Sequence, residues 1–422
     1  MFDCKKTNSF NFVLRLAFRY FSAKKNNKFV SFISMFSLLG VMLGVAALIV
    51  VMAVMEGFHI ELTSNIIGLG GDITISSAKS DKIYNFETTV ENLRKTKFIK
   101  AVVPEVHGKA LAISGSESSG ILVRGINSVD LSPKKQILDN QLVGNITDID
   151  NGFTIAIGKE LAINLDLDVG DDLAIICPGT VSTMLGNLPR KKTFKIVSIF
   201  SSGMYEYDSG TVIMSLGSAQ KLFDYKDAIN LVELYTDNPH DAKTYAKTIR
   251  KEIGKDFYVR TWFDNNAQFL GALKVERVAM FTILSLIIVV AAFNIISSLF
   301  MLVNEKRKDV AILKTMGASY WQILSIFILN GSFIGLIGTS LGVLLGIGFA
   351  TNIEFVRKCL EKISGANLFD AAIYFLYHLP SKVVPESVIT VAGMTMVISI
   401  LATIYPASRA ASIDPAEALR NE

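Results

Sequence analysis

VAMFTILSLIIVVAAFNIISSLFMLVNEKRKDVAILKTMG, residues Val278 to Gly317, decides how this chain must be laid out. The run from Val278 to Asn304 is 27 residues without a formal charge, and it gives way at once to Glu305-Lys306-Arg307-Lys308-Asp309. At ~1.5 Å per residue a helix of that length reaches about 40 Å, more than the ~30 Å hydrocarbon core of a bilayer. The stretch therefore reads as a membrane-spanning helix over 278–304, followed by a charged turn and a short amphipathic surface helix within 305–317. Everything before it must deliver the chain to one face of a membrane, and everything after it must start from the other.

Composition agrees. Half of the 422 residues are apolar and the mean hydropathy is +0.42, which places the chain in the membrane class. The net charge of +4 is small and carries no nucleic-acid signal. Cys4, Cys177 and Cys359 stand far apart in no CxxC spacing, so they form no metal or redox motif, and His59, His107, His240 and His378 are scattered.

Residues 1–28 carry seven Lys/Arg against the single acid Asp3. Within them Phe10–Phe21 mixes aromatics with Arg15 and Arg19, which suits either a helix lying in the membrane interface or a plain basic flank. A second uncharged run, 29–55, is too long for a signal-peptide core and reads as a retained first span. Gly40 and Gly44 form a GxxxG within it. Residues 56–277 are polar and mixed. Strands are expected at 72–76, 110–114, 120–125, 153–157, 172–176, 193–200, 210–214, 231–235 and 258–261, and helices at 87–95, 159–164, 216–223, 241–253 and 264–274. That alternation makes an α+β domain inserted between the first two spans. A third span is expected at 323–350, with glycine ladders Gly331/Gly335 and Gly338/Gly342/Gly346 that favour close helix packing. A loop at 351–386, a fourth span at 387–408 with Pro406 near its end, and a tail at 409–422 complete the chain. The expected fold is thus an α-helical membrane protein with four transmembrane helices and a large α+β domain between helices 1 and 2. Lys/Arg placement puts both termini and the 305–317 turn in the cytoplasm and the inserted domain outside.

One stretch of the domain stands out. Between Cys177 and Lys192 prolines lie near both ends and glycines inside. Pro178, Val181, Met184, Leu185, Leu188, Pro189 and Arg190 make an excursion with an apolar tip, fit either for a partner-binding loop or for a long ordinary hairpin. No chemistry is visible elsewhere. The chain has no phosphate-binding loop, no His-Glu-x-x-His and no Gly-x-Ser-x-Gly, so no catalytic, metal or cofactor residue is assigned. Asn294 and Asn330 are the amides well inside the spans, where hydrogen-bond glue between helices is the ordinary role. The spans carry no ionisable group of the kind a proton-driven transporter needs. Any work must be powered by another subunit. The turn at 305–317 has the form of a coupling helix, with Val310, Leu313 and Met316 at i, i+3, i+6 as the inserted face behind Glu305, Lys306, Arg307 and Lys308; a positively charged anchor fits the same spacing.

Several segments carry a resemblance to a known family. They are Phe29–Ser34, Leu39–Leu48, Val54–Phe58, Ala291–Ile295, Glu305–Ala318, Tyr405–Ala411 and Asp414–Arg420. Through them the whole chain resembles the permease subunits of lipoprotein-releasing (Lol) transporters, of the LolC/LolE type. These belong to the mechanotransmission class of ABC transporters with MacB and FtsX. The resemblance implies a multi-pass protein of the bacterial inner membrane that is not itself an enzyme. It implies a cytoplasmic LolD-like ATPase dimer that binds ATP and Mg, and a second permease, identical or LolE-like. It also implies a periplasmic LolA-like carrier recruited by a hairpin called the Hook, which falls at 177–192, and triacylated lipoproteins as cargo. Moving acyl chains into water costs ~0.8 kcal/mol per CH2, on the order of 30 kcal/mol for three chains, so the path must stay apolar. Phe32, Phe36, Leu39, Leu43 and Ala46 of the first span and Phe281, Leu284, Ile288 and Ile295 of the second are the expected lining, although a helix-packing or lipid-facing role fits each of them too. Two other readings remain: an FtsX-like signalling permease that controls a cell-wall hydrolase, and a MacB-like efflux driver, which the short segment before the first span disfavours.

Overall fold

A computed structural model of the chain describes residues 16, 28–183, 186–365, 369 and 376–420. In chain order its helices are α1 (Lys28–Leu69), α2 (Phe86–Arg94), α3 (Lys135–Leu138), α4 (Lys159–Asn164), α5 (Tyr205–Gly210), α6 (Leu216–Phe223), α7 (Ala242–Ile253), α8 (Trp262–Asn265), α9 (Ala267–Glu305), α10 (Arg307–Thr315), α11 (Tyr320–Thr351), α12 (Ile353–Ser364), α13 (Pro385–Ala411) and α14 (Pro415–Arg420). The strands are β1 (Ile73–Ser77), β2 (Ile99–Ser114), β3 (Glu117–Gly125), β4 (Gln141–Gly144), β5 (Thr154–Gly158), β6 (Asp172–Thr183), β7 (Gly186–Phe200), β8 (Thr211–Met214), β9 (Leu231–Thr236) and β10 (Phe257–Thr261). They fall into two compact units, one of Met1–Phe58, Lys274–Gly365 and Pro380–Glu422, the other of His59–Leu273 and Ala366–Leu379.

The first unit is helical. Among the described residues four helices are long and apolar enough to cross a membrane: α1, α9, α11 and α13. Hydropathy located these runs but not the helix ends. α1 continues past Met55 to Leu69, because Glu56, His59 and Glu61 end an apolar run without breaking a helix; Gly70 and Gly71 follow its last residue. α9 likewise begins at Ala267 and carries Lys274, Glu276 and Arg277 within it. The two glycine ladders of α11 seat two different neighbours. A Cβ at Gly338, Gly342 or Gly346 would run into Val41, Val45 or Ile49 of α1, whereas one at Gly331 or Gly335 would meet Thr403 or Ser399 of α13. Small residues at i, i+4 let backbones approach, and here they do so on two sides of one helix. The seam closes on a shared core of Val41, Val45, Ile295, Leu299, Ile323 and Phe327. Asn294 lies against Gly40, and Asn330 is buried with its amide nitrogen unpartnered among the described residues.

The second unit is built on one sheet. β2, β3, β8, β5, β7 and β6 pair in that order, and β6 returns to β2, so six strands close into a ring. The first half of β2 leaves the ring and pairs with β9; β9 then pairs with β1, and β1 with β10. One 16-residue strand thus serves both parts. Its second half holds the apolar run Ala110–Ile113 that supports a strand reading. Pro104 and the fully buried Glu105 interrupt the first half, and the short, mostly exposed β4 shows no pattern at all.

If the α1–α11 seam holds the bundle, Gly342→Leu should lower stability in detergent by about 1–3 kcal/mol or more through overpacking. At Gly348, where nothing lies within 4 Å, the same change should be nearly neutral. Thermal unfolding of the two variants checks this.

Candidate functional site

The turn between α9 and α11 is built in three pieces. Lys306 leaves the helical line and its Nζ pairs with Asp309 at 3.1 Å. α10 then ends in Gly317 at φ +97. The Gly317 N–H donates to the Lys314 carbonyl at 3.0 Å and the Ala318 N–H to that of Leu313 at 2.9 Å, the paired closure that a left-handed glycine makes possible. Ser319 and Gln322 cap α11 reciprocally. Lys314 donates through Nζ to the Ile413 carbonyl at 2.7 Å, and α14 packs on α10.

This packing corrects the expected inserted face. Val310 and Ala311 are 1% and 0% exposed and belong to the helical core, and Leu313 is half-buried against the same core. Only Met316 of the expected trio is open. The accessible face is Glu305, Lys308, Ile312, Thr315 and Met316, with Ile312 48% and Met316 79% exposed. Spacing alone could not find it, because the apolar stripe of a surface helix first serves its own core.

The 177–192 excursion is a continued hairpin. β6 and β7 stay paired from Asp172 and Lys195 out to Thr183 and Gly186, and Pro178 and Gly179 are accommodated by a register shift between Cys177 and Thr180. A bulge is where a strand tolerates proline. Pro178 and Pro189 are exposed. Arg190 is half-buried, 3.4 Å from Asp224. Val181 and Leu188 are backbone register partners, and their side chains lie outside the described ones; Met184 and Leu185 lie outside the described residues, as does nearly all of the basic N-terminal segment. Cys177 and Cys359 are free.

The expected apolar lining divides. Phe36, Leu43 and Phe281 are exposed at 54%, 60% and 61%, and Leu39, Ala46 and Leu284 are half-buried. Ile288 and Ile295 are instead packed in the helical core at 5% and 1% exposure, so their face of α9 is taken up by neighbours. The open face of α9 is Ile283, Leu286, Val290 and Phe293. The side chain of Phe32 lies outside the described residues.

Two features of the second unit gave no sequence signal. The first is a buried ionic network. Arg124 donates to both oxygens of Glu105 at 2.8–3.0 Å and to Glu233 at 2.8 Å. It also donates to the carbonyl of Leu69, the last residue of α1, at 2.9 Å. Lys134 reaches Glu233 at 2.6 Å, Tyr235 at 2.7 Å and Glu105 at 3.0 Å. Two acids face two bases, all 0–3% exposed. Burial alone would raise the Glu105 carboxyl; Arg124, Lys134 and His107 together hold it well below the usual glutamate range. Glu105, His107 and Glu233 stand close enough to ligate a metal, but the two cations already neutralise their carboxylates. The second feature is a strap. Leu376 is fully buried and bridges to Met204, and the Tyr377 hydroxyl donates to Asp208 at 2.9 Å. Lys159 sits 5.2 Å from the Tyr377 ring. The 351–386 stretch is therefore split: part is helix α12, and its described residues Leu376–Leu379 belong to the α+β unit.

Comparison with known proteins follows this division. Residues 34–252 match the family model described as MacB-like periplasmic core domain, and residues 281–415 match the FtsX-like permease C-terminal model. Fold and matches together define an ABC permease of the MacB/FtsX family. Three relatives each share 96% of this chain and 98% of their own length. They are the lipoprotein-releasing system transmembrane proteins LolC of Xylella fastidiosa and LolC of Neisseria meningitidis, each 35% identical, and LolE of Haemophilus influenzae at 30%. The chain belongs to this LolC/LolE family of multi-pass inner-membrane permeases.

Lys134→Met leaves the two buried acids short of a cation and should cost about 3–5 kcal/mol. In the native protein the depressed Glu105 contributes fully above its ordinary pKa, and that stability is lost only as pH falls through the depressed value. In the variant Glu105 loses one of the cations that hold it down, so the deficit should shrink on acidification; melting curves of both proteins against pH check the sign. Tyr377→Phe should raise hydrogen exchange at 376–379 and 204–208 without altering exchange in α11.

Proposed function

We propose that this chain is a non-catalytic permease of an ABC complex that extracts lipoproteins from the inner membrane and hands them to a soluble carrier. The observation that carries the reading is the exposed Lys308/Ile312/Met316 face on a turn helix keyed into the bundle by Val310 and Ala311, in a chain whose full-length relatives are named for lipoprotein release. An apolar knob flanked by charge is the kind of surface that seats in a cleft of a partner. The partner is a cytoplasmic, LolD-like ATPase dimer, which holds the ATP and Mg, and the second permease is a copy of this chain or a LolE-like relative. Both termini and the turn lie in the cytoplasm. The paired β6–β7 hairpin serves as the Hook toward a LolA-like carrier, which favours cargo release over an FtsX-like signalling role. The open apolar faces, with Phe36 and Leu43 on α1 and Phe281, Leu286 and Phe293 on α9, supply the greasy path for the triacylated cargo.

The double variant Ile312→Asp/Met316→Asp should lose the co-purifying ATPase and reduce lipoprotein release at least tenfold, while the chain still inserts and folds. Val310→Ala should instead mainly lower thermal stability. Undiminished release by the double variant would overturn this reading of the turn.

A further inference from the structure

We infer that α12 is an interfacial helix, lying in the lipid headgroup region at the end of α11 opposite the Glu305–Gly317 turn. From Thr315 to Ile353 the chain carries no formal charge, and the first charge is Glu354. That residue marks where the third membrane-crossing run meets water. α12 starts at Ile353, directly after Asn352, the cap residue of α11. It ends at Gly365, whose φ of +66 stops the helix. Its place is therefore set by continuity with a spanning helix.

Its side chains are sorted for that place. At 3.6 residues per turn Ile353, Val356, Leu360 and Ile363 share one face, and Glu354, Arg357, Lys358 and Glu361 the other. The outer part of that apolar face is open: no α12 residue is fully buried among the described residues, Ile353 and Val356 are half-buried, and Leu360 and Ile363 are 51% and 83% exposed. The polar face is internally paired. Arg357 bridges Glu354 at 2.5 Å and Glu361 at 2.6 Å, and Lys358 stands 3.6 Å from Glu354. Three basic residues against two acids leave little net charge. Apolar burial in the headgroup boundary, and not attraction to anionic lipid, drives such a helix to the surface. The occupant of the apolar face is the bilayer itself.

The test uses the full chain in nanodiscs, with Cys4 and Cys359 replaced by serine and single spin labels at Leu360→Cys, Ile363→Cys, Lys358→Cys or Lys362→Cys. Labels at 360 and 363 should be relaxed by oxygen and shielded from a water-soluble nickel chelate, and the label at 358 should show the reverse. The contrast should be the same in phosphatidylcholine alone and with added phosphatidylglycerol. If 360 and 363 meet nickel as readily as 358, the helix lies in water. If they meet neither reagent, protein covers the face. A contrast that appears only with phosphatidylglycerol means charge drives it. Each of these three results would overturn the inference.

Discussion

An uncharged helix in a bilayer gains nothing from leaving lipid for another helix unless the two surfaces fit, because lipid tails are as apolar as leucine. That constraint governs the helical unit. α11 meets it with glycines on two sides, receiving Val41, Val45 and Ile49 of α1 on one and Ser399 and Thr403 of α13 on the other. With α11 so seated, the core of Ile295, Leu299, Ile323 and Phe327 forms and extends to Val310 of the turn helix. The turn is thereby part of the bundle's own packing. Its outer face, with Ile312 and Met316, stays open, and under the proposed coupling role a load placed there would pass directly into the core that holds Val310.

The α+β unit answers a different constraint. A long strand shared by a closed ring and an open sheet must change partners midway, and β2 does so near Glu105 and Val106. A charge buried at that junction is tolerable only if it is paired and hydrogen-bonded. Arg124 and Lys134 satisfy it, and Arg124 in addition caps the final carbonyl of α1. The strap through Tyr377 and Leu376 gives the same unit a segment from the far end of the sequence. The chain consequently passes between its two units four times, at residues 58–59, 273–274, 365–366 and 379–380.

Hydropathy alone made the four spanning helices and the inserted domain legible, because a 27-residue uncharged run admits few other readings. The glycine ladders disclosed that α11 packs closely, though not against which helices. The faces were harder. Ile288 and Val310 have the side chains expected of a lining and of a docking knob, yet both went to the core, since an apolar residue on a packed helix satisfies its own bundle first. The ionic network was invisible because its members lie as much as 128 positions apart in sequence, from Glu105 to Glu233, and each looks like an ordinary surface charge. The first half of β2 was lost for the same reason: the partner that makes Glu105 acceptable in a strand cannot be read from its neighbours.

If the turn helix couples as proposed, its packing into the bundle makes the two act as one rigid piece. The direct measurement is the distance between spin labels at Met316 and Leu345, both in the helical unit and both exposed, by electron double resonance in the complex reassembled with its ATPase. The account predicts the same distance distribution with and without a non-hydrolysable ATP analogue. A nucleotide-dependent shift or broadening between those two positions would mean that the turn hinges on its own, and would contradict it.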